Sequence, residues 1–216
     1  MILTDDISVD DLLMKVQNIG DQLRGYTKKL VFSYADIATY KKVKHNLEVS
    51  GVPYHEWNAK QMEEFARQLS VMNRERGWHF ELATCGEKID IDKYGIQHNR
   101  CIDADLITRI AWQDSELMKV MGVKIHEIPQ PRLFDEEFQL PIGAIKLSDS
   151  KYFISNHKKD PGQRTYCGCM AAKDIGEYNT CPHLCEYCYA NASKELAINN
   201  WGKHKEDPYA ETITGK

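Results

Sequence analysis

The sequence predicts an α/β protein, and two observations lead there. Short apolar segments rich in β-branched and aromatic residues alternate with segments whose apolar residues recur at helical spacing. One helical segment is also bracketed by its own start and stop residues, Asn58 and Gly77, and strand and helix follow one another along the chain, which favours a parallel sheet.

Lys29-Leu-Val-Phe-Ser-Tyr34 reads as the first strand, short and buried. Asn58 is the expected N-cap of a helix, with Gln61 three residues on as its capping-box partner. Met62, Phe65, Ala66, Leu69 and Met72 form that helix's apolar face and Gly77 ends it. Trp78 to Thr84 alternates and is read as a second strand, with Cys85 directly after it. A helix starts near Asp103 with Leu106, Ile107 and Ile110 as its apolar face, and another covers Ser115 to Met121. Between Ile128 and Leu140 the rhythm breaks: Pro129, Pro131 and Pro141 punctuate it, and Phe134-Asp-Glu-Glu-Phe has no clean period, which makes it a loop or insertion. Ala144-Ile-Lys-Leu and Lys151-Tyr-Phe-Ile-Ser flank a polar turn and predict a hairpin. His157 to Arg164 is a polar turn, either a solvated charged loop or an anion-binding one.

Composition narrows the class. Of 216 residues, 42% are hydrophobic and 28% charged, which is globular rather than disordered, and the formal net charge is −4. That balance excludes a generally basic nucleic-acid binder and leaves open only a local basic groove. Trp57, Trp78, Trp112 and Trp201 follow no groove-like pattern, so core packing is the better account of them than base stacking. No apolar run approaches the ~18 residues of a membrane helix, and the opening is acidic where an export signal would be basic, so a cytoplasmic location without membrane contact is expected.

The seven cysteines are Cys85, Cys101, Cys167, Cys169, Cys181, Cys185 and Cys188. An odd number without an export signal argues against a disulfide framework and for metal or redox chemistry. Thr180-Cys181-Pro-His-Leu-Cys185-Glu-Tyr-Cys188 has C-x3-C-x2-C spacing with an aromatic before the last cysteine. Three thiolates on one short loop suit a [4Fe–4S] cluster whose fourth iron is open, and an open position is where a metal does chemistry. The competing reading is a zinc site completed by a fourth ligand such as His183, in a structural or interaction module. An electron-transfer protein is a third. Cys85, Cys101, Cys167 and Cys169 remain, the right count for a second metal site, either zinc or iron–sulfur. Gly168 between the tight pair gives its backbone room to fold round an ion.

The cysteine loop resembles that of the radical SAM enzymes. The resemblance implies that Cys181, Cys185 and Cys188 ligate a [4Fe–4S] cluster, that S-adenosyl-L-methionine chelates the open iron, and that Tyr187 packs near the adenine. It also implies a reductant such as flavodoxin or ferredoxin as partner. Cys188-Tyr-Ala-Asn191 is similar to the radical SAM branch labelled DNA repair photolyase. Over most of its length the chain resembles a bacterial family, domain of unknown function 1848, through Glu81-Leu-Ala-Thr-Cys85, Tyr94 to Asp103, Gly162 to Cys169 and Asp174 to Cys181. Arg164, Glu81 and Asp174 lie in these stretches, but each is more simply a surface or salt-bridged residue, and no catalytic residue is assigned.

The implied architecture is part of a (β/α) TIM-like barrel, permuted so that the cysteine loop follows the strands, since only 28 residues come after Cys188. The expected divisions are a partial barrel over 1–127, an insertion over 128–166, and a cysteine-rich segment with a terminal helix over 167–216. A complete barrel needs ~250 residues, so an upstream segment or a partner chain is expected to finish the wall.

Overall fold

A computed structural model describes residues 1–130, 138–173 and 175–214. They form two compact units, 1–97 together with 173–216, and 98–172. The divisions expected near 127 and 166 both fall inside the second unit. Ile125–Glu127 pairs there with residues 151–153, so that strand stays with the hairpin instead of closing an earlier domain.

In the first unit the chain runs β1 (Leu3–Thr4), α1 (Val9–Leu23), β2 (Lys29–Phe32), α2 (Lys41–Ser50), β3 (Tyr54–His55), α3 (Ala59–Glu75), β4 (Glu81–Thr84) and β5 (Ile96–His98). Strands β2 and β4 are parallel, in register from Lys29 opposite Glu81 to Phe32 opposite Thr84, and the sheet order is β2-β4-β5. Strand β1 pairs antiparallel with β3. The capping box expected at Asn58 is present: its side chain accepts from Gln61 N at 3.0 Å while Gln61 Oε1 accepts from Asn58 N at 3.1 Å. Helix α1 opens on the same device, built by Ser8 and Asp11, which the sequence reading passed over.

The second strand is shorter than expected. Gly77 and His79 both take left-handed φ, 62° and 58°, which breaks the extended run, and the strand begins only at Glu81. Nor does it alternate. Leu82, Ala83 and Thr84 are buried in succession, as suits the middle strand of a sheet covered on both faces.

The core of this unit is aromatic. Tyr34 lies 4.7 Å from Trp57 and 5.9 Å from Phe65 between ring centroids, and Phe32 sits 5.5 Å from Phe65. The Tyr34 hydroxyl donates to the Met62 carbonyl at 2.8 Å, so the one polar atom of that ring is satisfied. Trp57 and Trp78 are core residues, as expected. Helix α1 meets Trp78 at Gly20: a β-carbon there would stand 2.6 Å from the indole ring, so only glycine allows the approach.

The second unit holds α4 (Ala104–Ala111), α5 (Ser115–Met121), β6 (Ile125–Glu127), β7 (Ala144–Ser148) and β8 (Lys151–Ile154). The predicted hairpin is β7–β8, and β6 pairs on the other edge of β8, giving an antiparallel sheet β6-β8-β7. Its small core is Met118, Val123 and Phe153. Asp103 caps α4 as expected, but the buried face differs. Ala104 and Thr108 are buried, while Leu106 and Ile110 are 46% and 76% exposed. The sequence stretch from Ile128 to Leu140 has no regular structure where it is described, and Phe134 to Glu137 lie outside the described residues.

From residue 173 the chain belongs to the first unit again, so the loop with Cys181, Cys185 and Cys188 lies there, followed by α6 (Lys194–Glu206). The protein is thus mixed α/β, with three separate sheets and no closed barrel among the described residues. No helix among them is long and apolar enough to cross a membrane.

Candidate functional site

The loop bearing Cys181, Cys185 and Cys188 is held by asparagines. At its base Asn179 takes a left-handed φ of 61°, donates its N–H to the Ala190 carbonyl at 3.1 Å, and accepts from Ala192 N. Its own carbonyl accepts from Asn200 Nδ2 of α6 at 2.9 Å. Across the loop Asn191 Nδ2 donates to the Cys181 carbonyl at 2.9 Å, and Asn191 N–H points at Cys188 Sγ at 3.3 Å. Between the first two cysteines Leu184 is left-handed, with φ 54°, which turns the chain tightly.

Helix α2 grips the loop from outside. Asn46 Nδ2 donates to the Cys188 carbonyl at 2.9 Å and Lys42 Nζ to the Tyr189 carbonyl at 2.8 Å. Beside this contact lies a cavity of about 620 Å³. His45, Asn46 and Ser50 of α2 form one wall, Cys185, Glu186 and Cys188 another, and the N-terminal turn of α6 the rest. That size falls within the ~300–1,000 Å³ usual for small-molecule sites. Glu186 pairs with Lys194 at 2.5 Å on its rim. Asn191 is buried, and its Oδ1 has no hydrogen-bond partner although the amide nitrogen of the same group is used.

Cys185 is exposed, and Cys181 and Cys188 are half-buried. Among the described residues no three His, Cys, Asp or Glu side chains are preassembled round an ion position. The donor set nonetheless fits a thiophilic group: three thiols on one eight-residue loop, one of them already receiving a backbone N–H. Binding would have to draw the three sulfurs together. Tyr187 is 54% exposed and is not part of the cavity wall. His183 shares the loop and is exposed.

The remaining four cysteines divide three to one between the units. Cys85 follows β4 in the first unit, whereas Cys101, Cys167 and Cys169 belong to the second. There Cys169 Sγ receives the N–H groups of Cys101 at 3.2 Å and Ile102 at 3.4 Å, and Asn99 Nδ2 donates to Cys101 Sγ at 3.4 Å. Burial acts to raise the Cys169 thiol, but the Ile102 amide, the Cys167 side chain and the Cys101 donors outweigh it and leave it below its ordinary value. Cys167 moves up, chiefly through burial. Gly168 is required by a neighbour: a β-carbon would meet Arg100 Cγ at 3.2 Å.

Of the other residues noted in the sequence, Glu81 pairs with Lys29 at 3.0 Å on the surface. The Arg164 carbonyl accepts from Lys159 at 2.7 Å. Asp174 lies outside the described residues. Trp112 is half-buried against the second core and Trp201 lies beside His204. Sequence reasoning missed Lys42, Asn46, Asn179 and Asn200. Asparagine reads as a turn residue in any sequence, and no local spacing links α2 or α6 to the cysteines.

Fold and site together define a mixed α/β protein with a three-thiol loop clamped between two helices beside a ligand-sized cavity. The chain belongs to the family described as Domain of unknown function (DUF1848), whose profile matches residues 1–190 and so takes in all seven cysteines. No curated protein and no solved structure matches it.

Proposed function

We propose that this chain is a radical SAM-like iron–sulfur protein, with Cys181, Cys185 and Cys188 as the three protein ligands of a [4Fe–4S] cluster and S-adenosyl-L-methionine as its co-ligand. The observation that carries the reading is that the three-thiol loop, through Cys185 and Cys188, forms one wall of a cavity of about 620 Å³. When bound, the pair supplies reductive cleavage of the sulfonium and hence hydrogen abstraction from a substrate. A finer part of the reading is that the parallel β2–β4 pair with its helices is a portion of a TIM-like barrel, completed by another segment or chain.

The chain's own residues supply position and charge. Asn46 and Asn191 fix the backbone on both sides of the cysteines, which sets where the sulfurs can reach. The Asn191 N–H stabilises negative charge on Cys188 Sγ, and Asn191 Oδ1 is an acceptor left for an incoming N–H donor. Exposed Cys185 keeps the loop near the surface, where a flavodoxin or ferredoxin could deliver an electron.

The test is anaerobic purification and reconstitution with iron, acid-labile sulfide and zinc measured together, followed by electron paramagnetic resonance of the reduced protein. The expected result is about four irons and four sulfides per chain, with a spectrum that changes when S-adenosyl-L-methionine is added. Stoichiometric zinc without sulfide overturns the proposal in favour of a zinc module. A cluster whose spectrum ignores S-adenosyl-L-methionine overturns it in favour of electron transfer.

A further inference from the structure

The second unit carries a thiol group that the proposed cluster does not use. Two backbone amides in succession, Cys101 and Ile102, point at Cys169 Sγ. The segments bearing these residues are held side by side, since Met170 N–H donates to the Ile102 carbonyl at 3.1 Å. Cys101 is exposed, and the Asn99 amide orients its sulfur, whereas Cys167 and Cys169 are each only 6% exposed. An accessible thiol therefore stands next to a buried sulfur cradled by two N–H donors, an arrangement suited to exchange with an external disulfide.

We propose that Cys101 and Cys169 form a thiol–disulfide exchange site whose substrate class is a small disulfide such as glutathione disulfide. The Cys101 thiolate attacks one sulfur of the external disulfide; that S–S bond breaks, a Cys101 mixed disulfide forms, and one thiolate leaves and takes a proton. Cys169 Sγ then attacks Cys101 Sγ, forming the Cys101–Cys169 bond and expelling the second thiolate. The two cysteines lose two electrons and the external disulfide gains them, becoming two thiols. Cys169 is the resolving partner because its sulfur lies 3.2 Å from the Cys101 backbone nitrogen and 3.4 Å from that of Ile102. The bond would lock residues 101–102 to 169–170, so oxidation would tighten a contact that already exists.

The experiment uses the full reduced chain, freed of metal by chelator, exposed to glutathione disulfide and then trapped, digested and mapped by mass spectrometry. The expected product is a Cys101–Cys169 cross-link in at least tenfold excess over glutathionylated Cys101. Cys169→Ser should accumulate the Cys101 mixed disulfide, and Cys101→Ser should slow oxidation of the remaining pair at least tenfold. Cys167→Ser should still give the Cys101–Cys169 cross-link as its main product. Circular dichroism of each variant, with only folded variants scored, separates loss of exchange from loss of fold, and the parent chain's own map decides the matter if a variant fails to fold. A stable Cys101 mixed disulfide in the parent chain, a dominant cross-link through Cys167 or Cys85, or no reaction under native conditions would overturn the proposal. None of these outcomes depends on the cluster at Cys181, Cys185 and Cys188.

Discussion

Asn46 and Cys188 are 142 residues apart in sequence, and the Asn46 side-chain amide donates to the Cys188 carbonyl at 2.9 Å. The last cysteine of the loop is thereby tied to a helix formed early in the chain. The cavity beside the thiols lies at this contact, with α2 supplying one wall and the loop another.

Asn46→Ala should lower stability by about 0.5–1.5 kcal/mol, the usual net value of one such hydrogen bond. Its larger effect should be on the loop, read as reduced iron incorporation at equal protein concentration. Asn191→Ala should cost more, about 1–3 kcal/mol, because it removes the donor to the Cys181 carbonyl at a buried site. Denaturant midpoints together with iron content check both. Unchanged iron content in both variants would show that the asparagine frame does not position the thiols.

Replacing Cys181, Cys185 or Cys188 singly by alanine should remove bound iron altogether. The loop has no fourth cysteine between Cys181 and Cys188 to substitute. Each variant should stay folded, because none of the three belongs to either hydrophobic core. Iron analysis and circular dichroism read the two effects separately.

Gly20→Ala should destabilise the first unit despite the higher helix propensity of alanine. The new methyl would stand 2.6 Å from the Trp78 ring, and forced overpacking typically costs about 1–3 kcal/mol, more than the ~0.5–1 kcal/mol gained in the helix. Thermal or denaturant unfolding gives the sign directly. A stabilised variant would mean that the indole can move aside freely.

Acid should loosen the link between α1 and the end of α3. The Asp21 carboxylate is held down to about 2 from 3.8, first by its hydrogen bond from Arg76 and then by that from Trp78. A carboxyl group with a depressed value in the fold contributes stability that is complete above its unfolded value. That contribution is lost as pH falls from near 3.8 toward 2. Glu64, lowered from 4.5 to about 2 by Arg67 and Gln68, acts in the same direction. Asp21→Asn should therefore flatten the acid limb of a plot of unfolding midpoint against pH between 5 and 2, compared with the parent chain.

What the sequence by itself determined is local. The capping box at Asn58, helix α5 over Ser115–Met121, the β7–β8 hairpin and the C-x3-C-x2-C loop all rest on residues within one or two turns of each other. Propensity, capping and turn chemistry act at that range. Tertiary structure decided what local signals leave undetermined. It chose the Ala104–Thr108 face of α4 for burial over the more apolar Leu106 and Ile110, with Thr108 Oγ1 satisfied inside the helix by the Ala104 carbonyl at 2.8 Å. It assigned Cys85 to one compact unit and Cys101, Cys167 and Cys169 to the other, a division that a count of four thiols does not reveal. It also brought Asn46 and Lys42 onto the cysteine loop. The physical reason is the same in each case. Which surfaces meet depends on shape and on long-range hydrogen bonds, and a residue's neighbours in sequence carry no record of either.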